Sequence, residues 1–160
     1  MATKVTVELE YDASPDEVYA MLTDPSFREE ACRQMKVLRV SAGVEDSGDA
    51  TIVTVDQVQP AQGLPSFATK LTGDEIRIIQ EEAWVDGRYA DVHVTIPGKP
   101  GEMEGTAVLE ERDGGTVEKV DLEIRVRLPL VAGKIERLAA DMLRKALRAE
   151  NEAGRAYLSR

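Results

Sequence analysis

The sequence predicts an α+β fold in which a curved antiparallel sheet of seven strands wraps around one long C-terminal helix. Three observations point there. Alternation of apolar and polar residues recurs along most of the chain and is punctuated by short Gly- and Asp-containing turns, as hairpin-linked antiparallel strands require. Two short helical segments follow the first strand. The only long amphipathic segment is the last, Ile135 to Leu158, which supplies roughly 35–40 Å of helix to cover the apolar face of the sheet. At 160 residues the chain reads as one domain, 1–160.

The first strand sets Val5, Val7, Leu9 and Tyr11 on one face and Thr6, Glu8 and Glu10 on the other. It ends at ASPDE, where Ser14 is an N-cap, Pro15 takes the first helical position and Glu17 completes a capping box. Asp24-Pro25 interrupts the helix, and a second one runs from Phe27 to Arg33. Strands follow at Lys36–Val44 and Ala50–Val58, at Glu75–Val85 and Arg88–Ile96 around Asp86-Gly87, at Glu102–Glu111, and at Val117–Leu128 after Asp113-Gly114-Gly115. The last of these points Val120, Leu122, Ile124, Val126 and Leu128 one way. Between Gln59 and Asp74 the connection is too long for a hairpin, and Pro65–Leu71 reads as a short helix ended by Gly73. Leu64, Phe67 and Leu71 then share an apolar side, suited either to a binding loop or to packing on the rim.

Composition removes several function classes. With 30 acidic and 20 basic side chains the net charge is −10, so a nucleic-acid backbone would be repelled. The basic residues of the last helix, interleaved with Glu136, Asp141 and Glu152, read as a solvated face. No run of about 18 apolar residues exists to span a membrane. The opening MATKVTVELEYD lacks a signal-peptide layout, and the single Cys32 forbids an internal disulfide, so a cytoplasmic location is expected. His93 is the only histidine and falls on an outward position, which leaves no usual zinc site and no Ser-His-Asp or Cys-His arrangement. No catalytic residue, metal or other cofactor is therefore assigned. Cys32 reads as packing, and the pairs Glu102/Glu104 and Asp121/Glu123 as carboxylates on a solvent face.

The long helix carries the informative feature. Ile135, Leu138, Met142, Ala146, Ala149 and Ala153 form one stripe, closed by Tyr157, bulky at its start and alanine in the middle. Either the alanines bring helix and sheet into close contact, or they leave room for a ligand. A dry void of about 300 Å³ would cost on the order of 7 kcal/mol, so a large cavity would be hydrated or occupied. The inward positions Gly105 and Ala107, beside Met103 and Leu109, and the scarcity of aromatic residues, at 4%, favour a cavity. In IRIIQEEAWV, parity with Ile76 and Ile78 turns Gln80, Glu82 and Trp84 inward. There Gln80 and Glu82 would orient a polar group of a ligand and Trp84 would form a flat wall. A β-bulge would instead turn Glu82 to water.

The opening strand running into ASPDEVYAMLTDPSF, the strand series, and RLPLVAGKIERLAADMLRKALRAENE together resemble the helix-grip fold of the START-like (SRPBCC) superfamily. This superfamily includes the birch pollen allergen, lipid-transfer domains and polyketide cyclases; the likeness is to an uncharacterised bacterial branch and spans the whole chain. The resemblance implies a binding domain for a hydrophobic small molecule or lipid, held without catalysis between sheet and helix. The candidate ligand-binding residues are Leu64, Phe67, Leu71, Gln80, Glu82, Trp84, Met103, Leu138, Met142, Ala146 and Ala149. The Leu64–Leu71 segment and the Gly98–Gly101 turn would gate entry. An enzyme of cyclase or dehydratase type in the same cavity is the alternative, with Glu82 as its acid–base group and Tyr89 or Tyr157 as donors. A protein-interaction role, through an apolar patch at Leu64–Leu71, is the third reading, and a homo-oligomer is left open.

Overall fold

In the computed structural model, which describes residues 2–160, seven antiparallel strands form one sheet. The elements run β1 (Thr3–Tyr11), α1 (Pro15–Leu22), α2 (Pro25–Gln34), β2 (Arg39–Asp46), β3 (Thr51–Pro60), α3 (Ser66–Thr72), β4 (Glu75–Val85), β5 (Tyr89–Thr95), β6 (Gly101–Arg112), β7 (Gly115–Val126) and α4 (Ala132–Leu158). The sheet order β1-β7-β6-β5-β4-β3-β2 places β1 and β2 at opposite edges, so α1 and α2 carry the chain from one edge to the other. The core lies between the sheet and α4, with α1 and α2 closing its far end. This is the α+β helix-grip fold.

Local chemistry accounts for the joints. Ser14 accepts from the backbone N–H of Glu17, and the Glu17 carboxylate accepts from that of Ser14, which completes the capping box of α1. Asp24 caps α2 through the Ser26 N–H, with Pro25 at the first helical position. Lys36 turns left-handed (φ 61°) just after α2, which explains why β2 begins at Arg39 rather than at Lys36. Between β4 and β5, Asp86 and Gly87 take φ values of 56° and 65°, the tight hairpin geometry that matches strand twist. Helix α4 begins at Ala132, ahead of the periodic stripe, and no side chain caps its start.

Two features seat α4. Glu136, expected on the solvated face, is instead buried: it accepts from Thr3 Oγ1 at 2.9 Å and from the Val126 N–H at 3.0 Å, so it clasps the helix start to β1 and β7. At the other end a Cβ on Gly154 would lie 2.8 Å from the Tyr11 ring and 3.0 Å from Met21 Cε, so the helix comes close only because that position is glycine. Tyr157 packs edge-on against Phe27 and donates to Asp24 Oδ2 at 2.7 Å, which ties α4 to α2. Among the described residues no helix is long and apolar enough to cross a membrane.

Candidate functional site

Between the sheet and the first two-thirds of α4 lies an apolar cavity of about 540 Å³. Its helix wall is Ile135, Leu138, Met142, Ala146 and Ala149, all half-buried because they face this space. The sheet supplies Ile78, Val94, Met103 and Ile124, with Gln57, Gln59 and Gln80 as polar points. Leu64 and Leu71 close the side next to α3, and the exposed Lys99 and Lys145 stand at the rim. The two readings of the alanines therefore apply to different turns. Ala146 and Ala149 border open space, whereas Ala153 is buried beside Gly154, where helix and sheet touch.

The remaining candidates sit elsewhere. Phe67 is half-buried outside the cavity wall, its ring 5.7 Å from the Lys134 ammonium, and this contact fastens α3 to the start of α4. Trp84 is buried against Tyr19, edge-on at 5.7 Å, and lies outside the cavity wall. Gly105 also does no cavity work. A Cβ there would fall 1.8 Å from the carbonyl oxygen of Asp121, so its smallness serves strand approach.

Glu82 points inward with no bulge, since Ile76, Ile78, Gln80, Glu82 and Trp84 share one face of β4. It nevertheless belongs to a buried ionic cluster beside the cavity. Arg28 of α2 donates Nη1 and Nη2 to its two oxygens at 2.9 and 2.7 Å, and Nη1 also reaches the Leu22 carbonyl at 3.0 Å. Glu150 of α4 lies 3.6 Å from the same guanidinium. Trp84 Nε1 donates to Glu82 at 2.9 Å, and so does the Gln80 amide nitrogen. Burial alone would raise the Glu82 pKa, but the Arg28 charge and these donated hydrogen bonds hold it below the ordinary carboxylate value. Both Glu82 oxygens are engaged by Arg28 and the residue does not line the cavity, so Glu82 is not placed to exchange a proton with a ligand there. Tyr89 and Tyr157, the donors paired with it, bond Asp91 on the outer face and Asp24 below the helix.

Glu118 of β7 is a member of this cluster that the sequence reading passed over. It is buried, its Oε1 lacks a hydrogen-bond partner among the described residues, and so does the buried Tyr11 hydroxyl. Burial, reinforced by the negative charges of Glu150 and Glu82, pushes its pKa up to about 8. The native state therefore holds a proton that the unfolded chain, with a carboxyl near 4.5, gives up. Stability should fall as pH rises from about 4.5 to about 8 and then level off, and Glu118→Gln should flatten that slope. Urea denaturation across this range measures both; a slope unchanged in the variant would place the proton elsewhere.

On the outer face, His93 Nε2 lies 3.0 Å from Glu102, with Glu104 at 3.8 Å, so three ligand-type atoms cluster. Arg127 already bonds Glu102 at 2.6 Å. Glu102 is thus half-buried and paired rather than a free solvent carboxylate. Cys32 is buried and its thiol pKa is raised to about 11, consistent with a packing role.

Comparison with known proteins places these features in a family. An uncharacterized protein of Mycobacterium tuberculosis is 26% identical over 156 residues, covering 89% of each chain. Among solved structures, TTHA0849 from Thermus thermophilus superposes with a TM-score of 0.69 at 19% identity, over 97% of this chain and 99% of that one. Norcoclaurine synthase from Thalictrum flavum does so at 0.65 and 18% identity, over 99% and 87%. These likenesses establish the helix-grip fold. Residues 6–158 match the model of the protein family of unknown function DUF2505, and the chain belongs to that family.

Proposed function

We propose that this chain is a cytoplasmic, single-domain binding protein that holds a hydrophobic small molecule or lipid between the sheet and α4 without transforming it. The observation that carries this reading is the cavity. Water can fill it, but its mostly aliphatic walls give water few partners, and an apolar guest that displaces that water gains free energy. The volume lies within the range of small-molecule sites.

The enzyme reading loses its acid–base group to Arg28 and is not favoured. Neither is docking of a protein on the Leu64–Leu71 segment, because Leu64 and Leu71 face the cavity and Phe67 is covered by Lys134.

Titration with an environment-sensitive apolar dye, and native mass spectrometry of freshly purified protein, test the proposal. The expected result is one dye per chain or a retained ligand mass. Ala146→Trp and Met142→Trp, which project an indole into the cavity from α4, should each weaken dye binding at least about 100-fold while the far-UV spectrum is retained. Undiminished binding in both variants would overturn the proposal.

A further inference from the structure

An amide side chain is ordinarily free to turn over, exchanging its NH2 donor for its carbonyl acceptor. Gln80 is not. It stands in the middle of the sheet, between Val55 of β3 and Val94 of β5, and it both lines the cavity and touches Glu82. Glu82 is bonded through both oxygens to the Arg28 guanidinium, so it is a carboxylate with acceptors only. An amide beside it must present nitrogen, and Gln80 does. Its oxygen is thereby the end left over, and no donor among the described residues bonds to it. The Arg28–Glu82 pair therefore sets the hydrogen-bond polarity of the cavity wall without touching the cavity.

Gln57 and Gln59 behave differently. Gln59 Nε2 donates to Gln57 Oε1 at 3.0 Å, and no charge anchors the pair. Turning both amides over exchanges donor for acceptor, so this pair adapts to whatever polar group it meets. Discrimination falls to Gln80.

We propose that the cavity selects an apolar molecule bearing a hydrogen-bond donor, a hydroxyl or N–H, set against Gln80 Oε1, over the same skeleton carrying an ether or a carboxylate. This rests on the reading of the cavity as a ligand site. An ether brings a second acceptor to an acceptor and strands both. An ionised carboxylate does the same and adds a charge that the apolar walls do not solvate. The nearby Arg28 is already held through both nitrogens by Glu82, and the cations that line the cavity, Lys99 and Lys145, are exposed at the rim, so a fatty acid would have to leave its head outside.

The experiment is displacement of the apolar dye by three compounds of equal chain length: a long-chain primary alcohol, its methyl ether and the corresponding fatty acid. Wild-type protein should favour the alcohol over the ether by about five- to tenfold, the worth of one hydrogen bond. Gln80→Met keeps the volume and removes the acceptor; in it the alcohol and the ether should displace the dye equally well. Equal displacement by alcohol and ether in the wild type, a preference that survives in Gln80→Met, or tightest binding of the fatty acid each overturns the inference and leaves the binding function standing. Failure of the dye and of all three compounds overturns both. Should Gln80→Met not fold, the alcohol-to-ether ratio in the wild type still decides.

Discussion

Replacing Arg28 with leucine should destabilise the fold by about 3–5 kcal/mol, read as a shift of the urea midpoint at constant slope. Arg28 and Glu82 are both nearly inaccessible, at 3% and 5%, so neither charge has water to fall back on. Removing the guanidinium leaves Glu82 with donors from Trp84 and Gln80 but no countercharge. It also deprives Glu150 of its nearest cation, 3.6 Å away. The carboxylate must then take up a proton or draw water inward, and either is costly. Breaking a buried pair from one side is far worse than replacing it. The double variant Arg28→Leu/Glu82→Leu should therefore recover part of the loss by removing the unpaired Glu82 charge, while Glu150, the Trp84 indole N–H and the Leu22 carbonyl stay without the partners they had. A single-variant loss below about 1 kcal/mol would mean that solvent reaches the pair and screens it. Arg28 joins α2, β4 and α4, so its loss should loosen the closed end of the cavity while the rim at α3 is retained.

The hinge of this network was only half legible in the sequence. Parity along IRIIQEEAWV offered an inward Glu82, against a bulge that would turn it to water, and an inward carboxylate demanded a partner. Nothing local named that partner. Arg28 lies 54 positions away on a short helix whose composition reads as polar, and only the crossing of α1 and α2 from one sheet edge to the other brings it beneath β4. Glu118 was within reach. It has the same parity as Val120 and Leu122, and extending the alternation of the last strand one step toward its start would have put a carboxylate in the core. Glu136 was not: on a helical wheel it belongs with the charged residues, and it is buried because β7 offers it the Val126 N–H and β1 the Thr3 hydroxyl. Local periodicity therefore delivered the strands, the capping box, the long helix and its alanine turns. Pairs formed across layers depend on how those layers meet, and no window of sequence holds that. Phe67 and Trp84 lie outside the cavity wall for the same reason, since each found a partner from another element, Lys134 and Tyr19.

Gly105→Ala should destabilise the protein by at least about 3 kcal/mol although it adds a single methyl group. The position pairs with Val92 of β5 and Leu122 of β7. A Cβ there would lie 1.8 Å from the Asp121 carbonyl oxygen, 2.8 Å from its carbon and 2.9 Å from Leu122 Cα. All three are backbone atoms, so no rotamer relieves the overlap, and β6 and β7 must part. Gly43→Ala in the edge strand β2 is the control: a Cβ there meets nothing within 4 Å, and the change should stay within about 0.5 kcal/mol of wild type. Denaturant midpoints of the two variants measure the contrast, and equal values would show that the β6–β7 approach relaxes freely. The effect should extend to binding. Met103 and Ile124 are directly opposite one another on these two strands and both line the cavity, one residue pair beyond Gly105 and Leu122 on the same face. Parting the strands at Gly105 moves that wall, so any Gly105→Ala protein that folds should bind the apolar dye more weakly, even though the substitution lies outside the cavity.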